Sequence, residues 1–366
     1  ASSAIYVEAG VNAAANTSTV SDVTLSSVIT TSATGTIVIF AGAPTTVSTA
    51  TLSTKIASTG ATGSIQYKTY NADLSSLSTI VTGTRNFYYR VNPTGVTASG
   101  ITATKTYDGT TNALGYTSGG SVTGLSADDS SASIGAVTSF AFTTANFNDP
   151  NAGSRTLTLG GASINTATWS VKGLSITTTG GGGTINKANL VLTGTKTYDG
   201  TTTVAGSQLT ATGVNSESFT VTGSVTTGLA TADVQSNSTL SSVTGLTVGT
   251  SNGTNPGLAS NYNVLGTTGS SFSVTPATAV LTATKTYDGT TNLSGSQLAI
   301  TGVTVGGVTQ TLGYSAGTAS LLDANVATTN NYVIGSGLVL SNGTGGTAGT
   351  ATNYVLPTTY SYSSTN

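Results

Sequence analysis

Three lysines and three aspartates stand at matching places in three copies of one octapeptide. The copies begin at Lys105, Lys196 and Lys285, and each reads Lys-Thr-Tyr-Asp-Gly-Thr-Thr followed by Asn or Thr. A protonated lysine beside a carboxylate forms an ion pair. A buried neutral lysine instead attacks a carboxyl group and forms an isopeptide bond, while a second acid carries the protons. The sequence leaves both kinds of chemistry open.

Each lysine has two candidate acids, one inside the octapeptide and one 37 to 44 residues after the lysine (149 − 105 = 44, 233 − 196 = 37, 323 − 285 = 38). The motif residues are Lys105, Tyr107, Asp108, Gly109, Lys196, Tyr198, Asp199, Gly200, Lys285, Tyr287, Asp288 and Gly289, and the later acids are Asp149, Asp233 and Asp323. The recurrence of the later acids predicts that they are the lysine partners.

The residues around the motif predict a β-hairpin. Asp and Gly both tolerate the positive φ of a two-residue type I′ turn, so Tyr-Asp-Gly-Thr favours such a turn between two strands. Alternation along the first strand then places Leu281, Ala283, Lys285 and Tyr287 on one face. An unpaired ammonium on that apolar face is costly, which is why each lysine requires a partner.

Domain-sized spacing of the octapeptides predicts tandem repeats. The intervals are 91 and 89 residues (196 − 105 and 285 − 196), which suits small domains. Short runs rich in Thr, Val and Ile, separated by Gly, Asn and Ser, predict strands, and no long window has helical periodicity. We therefore expect an all-β protein of tandem Ig-like β-sandwich domains in an elongated array. The expected domains are 1–93, a diverged or capping domain, and then repeat 1 (94–186), repeat 2 (187–276) and repeat 3 (277–366).

Composition excludes several functions. With 10 Lys and Arg and a net charge of −2, the chain lacks the basic surface that nucleic acids bind. No apolar run approaches the ~20 residues of a membrane helix, so no membrane insertion is predicted. Cys and His are absent, which removes disulfides, thiolate zinc sites and histidine-based catalysis. The two glutamates, Glu8 and Glu217, are far apart in sequence. We predict that the protein is not an enzyme.

No cofactor is predicted, although calcium stays an open alternative. Asp128-Asp129 and Asn148-Asp149-Pro150-Asn151 are rich in oxygen ligands. Neither segment has the alternating ligand spacing of a calcium loop, so both are interpreted as solvated turns.

The amino-terminal residues suggest secretion and assembly. Ala1-Ser2-Ser3-Ala4 is typical of the small residues left by signal-peptide cleavage. Apolar residues then alternate at Ile5, Val7, Ala9 and Val11. The hypothesis is that this segment adds as a strand to a neighbouring subunit, and the alternative is that it completes its own first domain.

The motifs carry a family resemblance. The Lys-Thr-Tyr-Asp-Gly-Thr-Thr core, Asp323-Ala324-Asn325, the Asn-Tyr pairs and Val274 to Ala277 resemble the YDG-type repeats of bacterial filamentous-haemagglutinin-like surface adhesins and biofilm-matrix proteins. The resemblance covers about residues 94–366. It implies an extracellular β-rich module used in tandem, and it implies no catalytic residues.

These observations predict a secreted protein at the cell surface or in the matrix. We expect a self-assembling subunit of a bacterial surface or biofilm-matrix fibre, joined head-to-tail by strand addition. Its partners are then further copies of itself, with glycans or other surface proteins as additional partners. The alternative is a non-polymerising adhesin stalk that binds glycans or a host surface.

Overall fold

The structure, a computed structural model, describes residues 4–8, 29–31, 36–41, 56–58, 66–69, 85–89, 96–124, 137–166, 169–172, 174, 176–326 and 332–357. The chain divides into two compact units, Ala1–Asn186 and Lys187–Asn366. The described residues form strands joined by turns, together with a few single 3-10 turns. The protein is therefore all-β, as its sequence predicts. No helix in these described ranges is long and apolar enough to cross a membrane.

The first unit contains fifteen of the described strands. They are β1 (Ala4–Glu8), β2 (Ile29–Thr31), β3 (Thr36–Ala41), β4 (Ile56–Ser58), β5 (Gln66–Thr69), β6 (Arg85–Tyr89), β7 (Thr97–Thr106), β8 (Thr117–Thr123), β9 (Val137–Ala141), β10 (Thr144–Phe147), β11 (Gly153–Gly160), β12 (Ser163–Thr166), β13 (Trp169–Lys172), β14 (Thr177–Thr178) and β15 (Gly182–Asn186). One sheet has the order β1-β3-β6-β5-β13-β12-β9, and a second has the order β10-β11-β15-β7-β14 with β8 also on β7. Strands β2 and β4 form a separate pair.

One sheet of the first unit contains strands from both sides of residue 93. Strand β13 pairs in parallel with β5, with Trp169 opposite Gln66. The expected division at residue 93 therefore does not separate two sheets. Pairing between strands that are distant in sequence is decided by tertiary packing, and the turn-rich composition near Pro93 carries no information about it.

The amino-terminal strand belongs to its own chain's sheet. Strand β1 pairs in parallel with β3, with Ile5 opposite Ile37 and Val7 opposite Ile39. This is the arrangement expected if the segment completes its own domain. Strand β1 is the first strand of the sheet order, at its edge. Ala9 and Val11 lie outside the described residues.

The second unit contains the other fourteen described strands. They are β16 (Val191–Thr197), β17 (Val204–Ala205), β18 (Leu209–Thr212), β19 (Ser218–Val225), β20 (Gln235–Ser238), β21 (Leu246–Ser251), β22 (Ser271–Thr275), β23 (Ala277–Thr278), β24 (Val280–Ala283), β25 (Asn292–Leu293), β26 (Leu298–Val305), β27 (Val308–Leu321), β28 (Val333–Asn342) and β29 (Tyr354–Val355). The 3-10 turns are Gly206–Gln208, Val214–Ser216, Ala259–Asn261, Gly295–Gln297 and Ala351–Asn353.

Each sheet of the second unit lies on one side of residue 276. Repeat 2 has the order β17-β19-β18-β16-β22-β20, with β21 also on β19. Repeat 3 has β24-β26-β27-β25, with β28 also on β27, and a separate β23-β29 pair. The described strand pairs of the second unit are therefore all formed within one repeat.

Strands β7, β16 and β24 each carry an octapeptide lysine at or just beyond the carboxyl end. Buried and exposed residues alternate along β7 and β16, because successive side chains of a strand point to opposite faces. Leu192 and Leu281 are buried on the same face as the lysines. The strand thus directs each lysine inward, as the alternation predicts.

Candidate functional site

Lys196 is the clearest example of how the octapeptide folds. Its side chain is buried, and its Nζ donates to Asp199 Oδ1 at 2.8 Å, to the Thr201 carbonyl at 2.7 Å and to the Thr203 carbonyl at 2.8 Å. The Thr201 hydroxyl lies 3.3 Å from the same nitrogen. Three N–H bonds of an ammonium are thereby matched to three strong acceptors.

The other two lysines repeat this arrangement. Lys105 Nζ lies 2.7 Å from Asp108 Oδ1 and donates to the carbonyls of Thr110 and Asn112. Lys285 Nζ lies 2.8 Å from Asp288 Oδ1 and donates to the corresponding two carbonyls of its own octapeptide. Both lysines are buried. We call this arrangement the lysine turn.

The octapeptide is not the predicted hairpin. Strand β16 pairs with β18 and β22 rather than with β17, which follows the octapeptide and pairs with β19. A type I′ turn requires positive φ at both central residues. Among the described residues, positive φ outside glycine occurs at Asn215, Ser216 and Asn237, so only the glycine of Asp-Gly has it.

The aspartate side chain shapes the turn instead. Asp199 Oδ1 accepts hydrogen bonds from the Thr201 N–H and hydroxyl, both at 2.9 Å. Gly200, with φ of 73°, supplies the left-handed residue between them. An aspartate that accepts from the backbone two residues ahead is a common way to hold a turn. The chain is thereby bent so that its carbonyl groups face the lysine.

The same contacts keep the aspartates ionised. Partial burial on its own raises the pKa of the Asp108 and Asp199 carboxyls. Hydrogen bonds from the lysine and the threonine outweigh that effect, so both pKa values lie below the ordinary range. At Asp288 the hydrogen bond from Lys285 is the largest cause, and it lowers the pKa to about 2. Each lysine turn therefore contains an ionised aspartate at neutral pH.

Each lysine pairs with the aspartate inside its own octapeptide, whereas the spacing predicts the later acid as its partner. Asp149 accepts from the Asn151 N–H at 2.7 Å and lies 3.8 Å from Arg155 Nη1. Asp323 accepts from the Asn325 N–H at 2.9 Å. Asp233 accepts from the Thr231 hydroxyl at 2.7 Å. Asp149 and Asp323 shape a second turn, because a carboxylate two residues before an N–H closes a tight loop locally. In repeat 2 the Thr231 hydroxyl takes that place and accepts from the Asp233 N–H at 3.2 Å.

The tyrosines of the three octapeptides differ in exposure. Tyr107 and Tyr198 are buried, at 7% and 6% exposed, as expected for residues on the lysine face. Tyr287 is 61% exposed, which corrects that prediction for the third copy. The environment of the tyrosine therefore depends on something outside the octapeptide.

Tyr198 is buried by residues of repeat 3. Its ring meets the Tyr354 ring edge-on, with centroids 5.4 Å apart, a favourable aromatic geometry. The Gln310 side-chain amide donates to the Tyr198 hydroxyl at 3.2 Å, and the Tyr354 hydroxyl donates to the same amide's oxygen. Burial raises the pKa of Tyr354. Gln310 thus connects the tyrosines of two repeats.

A second contact between repeats 2 and 3 lies at the turn near Asp233. The Asn353 amide donates to Asp233 Oδ1 at 2.7 Å, and the Val234 N–H donates to Asn353 Oδ1 at 2.9 Å. Asn353 is only 1% exposed. Its hydrogen bond is the main reason that the pKa of Asp233 lies below its usual value. We call the Tyr198 and Asp233 contacts together the repeat junction.

Repeat 2 contains its own version of the residues that receive Tyr198. The Tyr262 hydroxyl donates to Glu217 Oε2 at 2.8 Å and accepts from the Val214 N–H at 2.9 Å. In repeat 3 the Tyr354 hydroxyl likewise accepts from the Val303 N–H, at 3.1 Å. Sequence reasoning noticed the recurring Asn-Tyr pairs but missed Glu217 and Gln310, since one is an acid and the other an amide. Only the structure shows that each of them accepts a hydrogen bond from the tyrosine of an Asn-Tyr pair.

The oxygen-rich segment at Asp149 is engaged in hydrogen bonds of its own turn. Asp149 Oδ1 is already engaged by Asn151, and Asn148 Oδ1 accepts from the Thr156 N–H at 2.9 Å. Within the described ranges, no group of three acidic side chains lies close enough to hold an ion. Asp128 and Asp129 lie outside those ranges.

The chain matches no protein-family model, and comparison with curated proteins and with solved structures gives no significant match in either set. The family resemblance therefore rests on the motif residues themselves.

Replacing Lys196 by Met should destabilise repeat 2. The substitution leaves two partly buried carbonyl groups without their donor, so we expect the free energy of unfolding to fall by roughly 2–4 kcal/mol. Lys187→Met is the matched control, because Lys187 is exposed and exposed charges contribute little. Chemical denaturation of both variants measures the difference. Equal stability of K196M and K187M would show that the lysine turn does not support the repeat.

The lysines should be ion-paired rather than covalently bonded. Isopeptide formation requires a neutral amine and a protonated carboxyl group, whereas the acceptors around each Nζ and the lowered aspartate pKa values favour the charged forms. We expect the intact mass to equal the mass calculated from the sequence. A deficit of about 18 Da, or a multiple of it, would demonstrate isopeptide bonds instead.

Proposed function

We propose that the protein is an extracellular structural and adhesive protein, a subunit of a bacterial surface or biofilm-matrix fibre. The observation that carries the proposal is the repeat junction, in which a motif residue of one repeat is held by the body of the next. Specific side-chain contacts between neighbouring repeats suit a structural protein that carries mechanical load and keeps its repeats at a fixed spacing. The low charge and the motif resemblance support the extracellular setting.

We further propose that the repeats are Ig-like β-sandwiches arranged in an elongated array. In repeat 2, β16 lies between antiparallel β18 and parallel β22, and β19 pairs with β17, β18 and β21. A strand that has one parallel and one antiparallel neighbour, within a turn-rich all-β domain, supports a sandwich. The link between repeats 2 and 3 is short, since β22 ends at Thr275 and β23 begins at Ala277. Pro276 in this link restricts it further.

Head-to-tail joining by strand addition remains part of the proposal. Strand β1 is at the edge of its sheet, and an edge strand presents backbone groups that another chain can pair with. The contact then uses the outer edge of β1 while the strand stays paired with β3.

Negative-stain microscopy tests assembly directly. We expect purified protein to form regular filaments, and a chain lacking residues 1–15 to remain folded without forming them. Circular dichroism controls for folding of the truncated chain. Filaments from the truncated chain would refute strand addition at this end, and isolated rods from the full chain that bind a glycan array would favour the adhesin stalk.

The repeat junction can be tested with two matched glycine variants. Gly200 and Gly289 have the same conformation, with φ of 73° and 76°, so alanine costs about 1 kcal/mol of backbone strain at either place. A Cβ at Gly200 lies 2.3 Å from Val305 Cγ2, whereas a Cβ at Gly289 meets no atom within 4 Å. We expect G200A to destabilise the protein more than G289A, by roughly 1–3 kcal/mol, as overpacking does. Equal losses of unfolding free energy would contradict a tight junction.

A further inference from the structure

The three repeats share a second turn at an equivalent position. In repeat 2 the Leu229 N–H donates to the Thr202 carbonyl, and in repeat 3 the Leu321 N–H donates to the Thr291 carbonyl. The threonines occupy the same octapeptide position. Counting four and five residues onward from each leucine, Asn325 and Val326 of repeat 3 correspond to Asp233 and Val234 of repeat 2.

This correspondence defines one face on each repeat, made of the octapeptide tyrosine and glycine and the two residues of the second turn. In repeat 2 the face consists of Tyr198, Gly200, Asp233 and Val234. All four lie against repeat 3 in the repeat junction: the tyrosine against Gln310 and Tyr354, the glycine against Val305, and the turn against Asn353.

The same face of repeat 3 is open. Tyr287 and Val326 are 61% and 65% exposed, and a Cβ built on Gly289 meets nothing within 4 Å. Leu322, beside this turn, is 57% exposed. Tyr287, Asn325 and Val326 line one shallow pocket with Lys285. Large apolar side chains that are exposed together indicate an interaction site.

We propose that this face of repeat 3 is a docking site for another repeat of the same type. The partner presents an asparagine and a tyrosine in sequence, with a glutamine or glutamate beside the tyrosine hydroxyl, as repeat 3 presents them to repeat 2. The tyrosine hydroxyl of the partner and the Tyr287 hydroxyl share that amide or carboxylate, and the partner's asparagine binds the backbone of the turn at Val326. This inference rests on the proposed function, in which the protein is an array of repeats. It identifies the residues of repeat 3 through which a further repeat joins that array.

The test uses a chain in which residues 276–366 are repeated once after Asn366. Nitration of tyrosines, followed by mass spectrometry of peptides, measures their exposure. We expect modification of Tyr287 in the extended chain to fall about tenfold, the ratio of the 61% exposure of Tyr287 to the 6% exposure of Tyr198. Tyr198 should be protected in both chains, which confirms that the existing junction is intact, and the exposed Tyr116 should react in both.

Three substitutions in the extended chain make the assignment specific. Gln310→Ala and Asn353→Ala, introduced only in the appended copy, should restore the reactivity of Tyr287. Gly289→Ala should do the same, because a Cβ there now meets the docked repeat. Equal nitration of Tyr287 in the extended and unextended chains would overturn the proposal. Protection of Tyr287 that is unchanged by these substitutions would also overturn it.

A different surface of a second copy of the chain is the competing occupant. Protection of Tyr287 in the unextended chain that appears with rising protein concentration, together with dimers that cross-link away from the Asn-Tyr pairs, would assign the face to that surface and overturn the proposal. Nitration is measured on protein that has not assembled into filaments. Protection of Tyr287 in a chain that forms no filaments therefore supports docking and counts against the proposed fibre. Filaments formed by a chain in which Tyr287 is not protected support the fibre and count against docking.

Discussion

A buried ammonium group needs oxygen atoms around it, and this requirement determines how each octapeptide folds. Alternation along β16 directs Lys196 inward, where an unpaired charge costs several kcal/mol. The chain after the strand must therefore bend until a carboxylate and two carbonyl groups face the lysine. A hairpin that continued the strand would use those carbonyls in its own ladder. The lysine turn is the solution that satisfies both the charge and the backbone.

The turn also determines where the repeat meets its neighbour. Once Asp199 and the carbonyls hold Lys196, the directions of Tyr198 and Gly200 are fixed, and both reach residues of repeat 3. The junction combines a ring contact with hydrogen bonds to Gln310 and Asn353. Hydrogen bonds are directional, whereas apolar contact alone tolerates sliding. A junction of this kind therefore holds the relative orientation of two adjacent repeats.

The sequence predicted the strand-rich fold and the inward lysine, because both follow from alternation and composition. It did not identify the lysine's acid. Asp-Gly suits a type I′ turn and a side-chain-capped turn equally well, and only the pairing of β16 with β18 and β22 decides between them. The recurrence of Asp149, Asp233 and Asp323 was misleading, because these acids are not equivalent. Asp233 stands two positions later in its turn than Asp149 and Asp323 stand in theirs. Glu217 and Gln310 were missed because different residue types occupy the same place.

Tyr198 and Tyr287 show that one motif carries two separable roles. Lysine, aspartate and threonine act inside the repeat, and their contacts are the same in all three copies. Tyr198 and Gly200 contact repeat 3, whereas Tyr287 is exposed, so the environment of these positions changes while the turn beneath them does not. Loss of the lysine should disturb the turn and the junction together, whereas loss of the tyrosine should disturb the junction alone. The octapeptide therefore joins a folding element to a contact element, and the first positions the second.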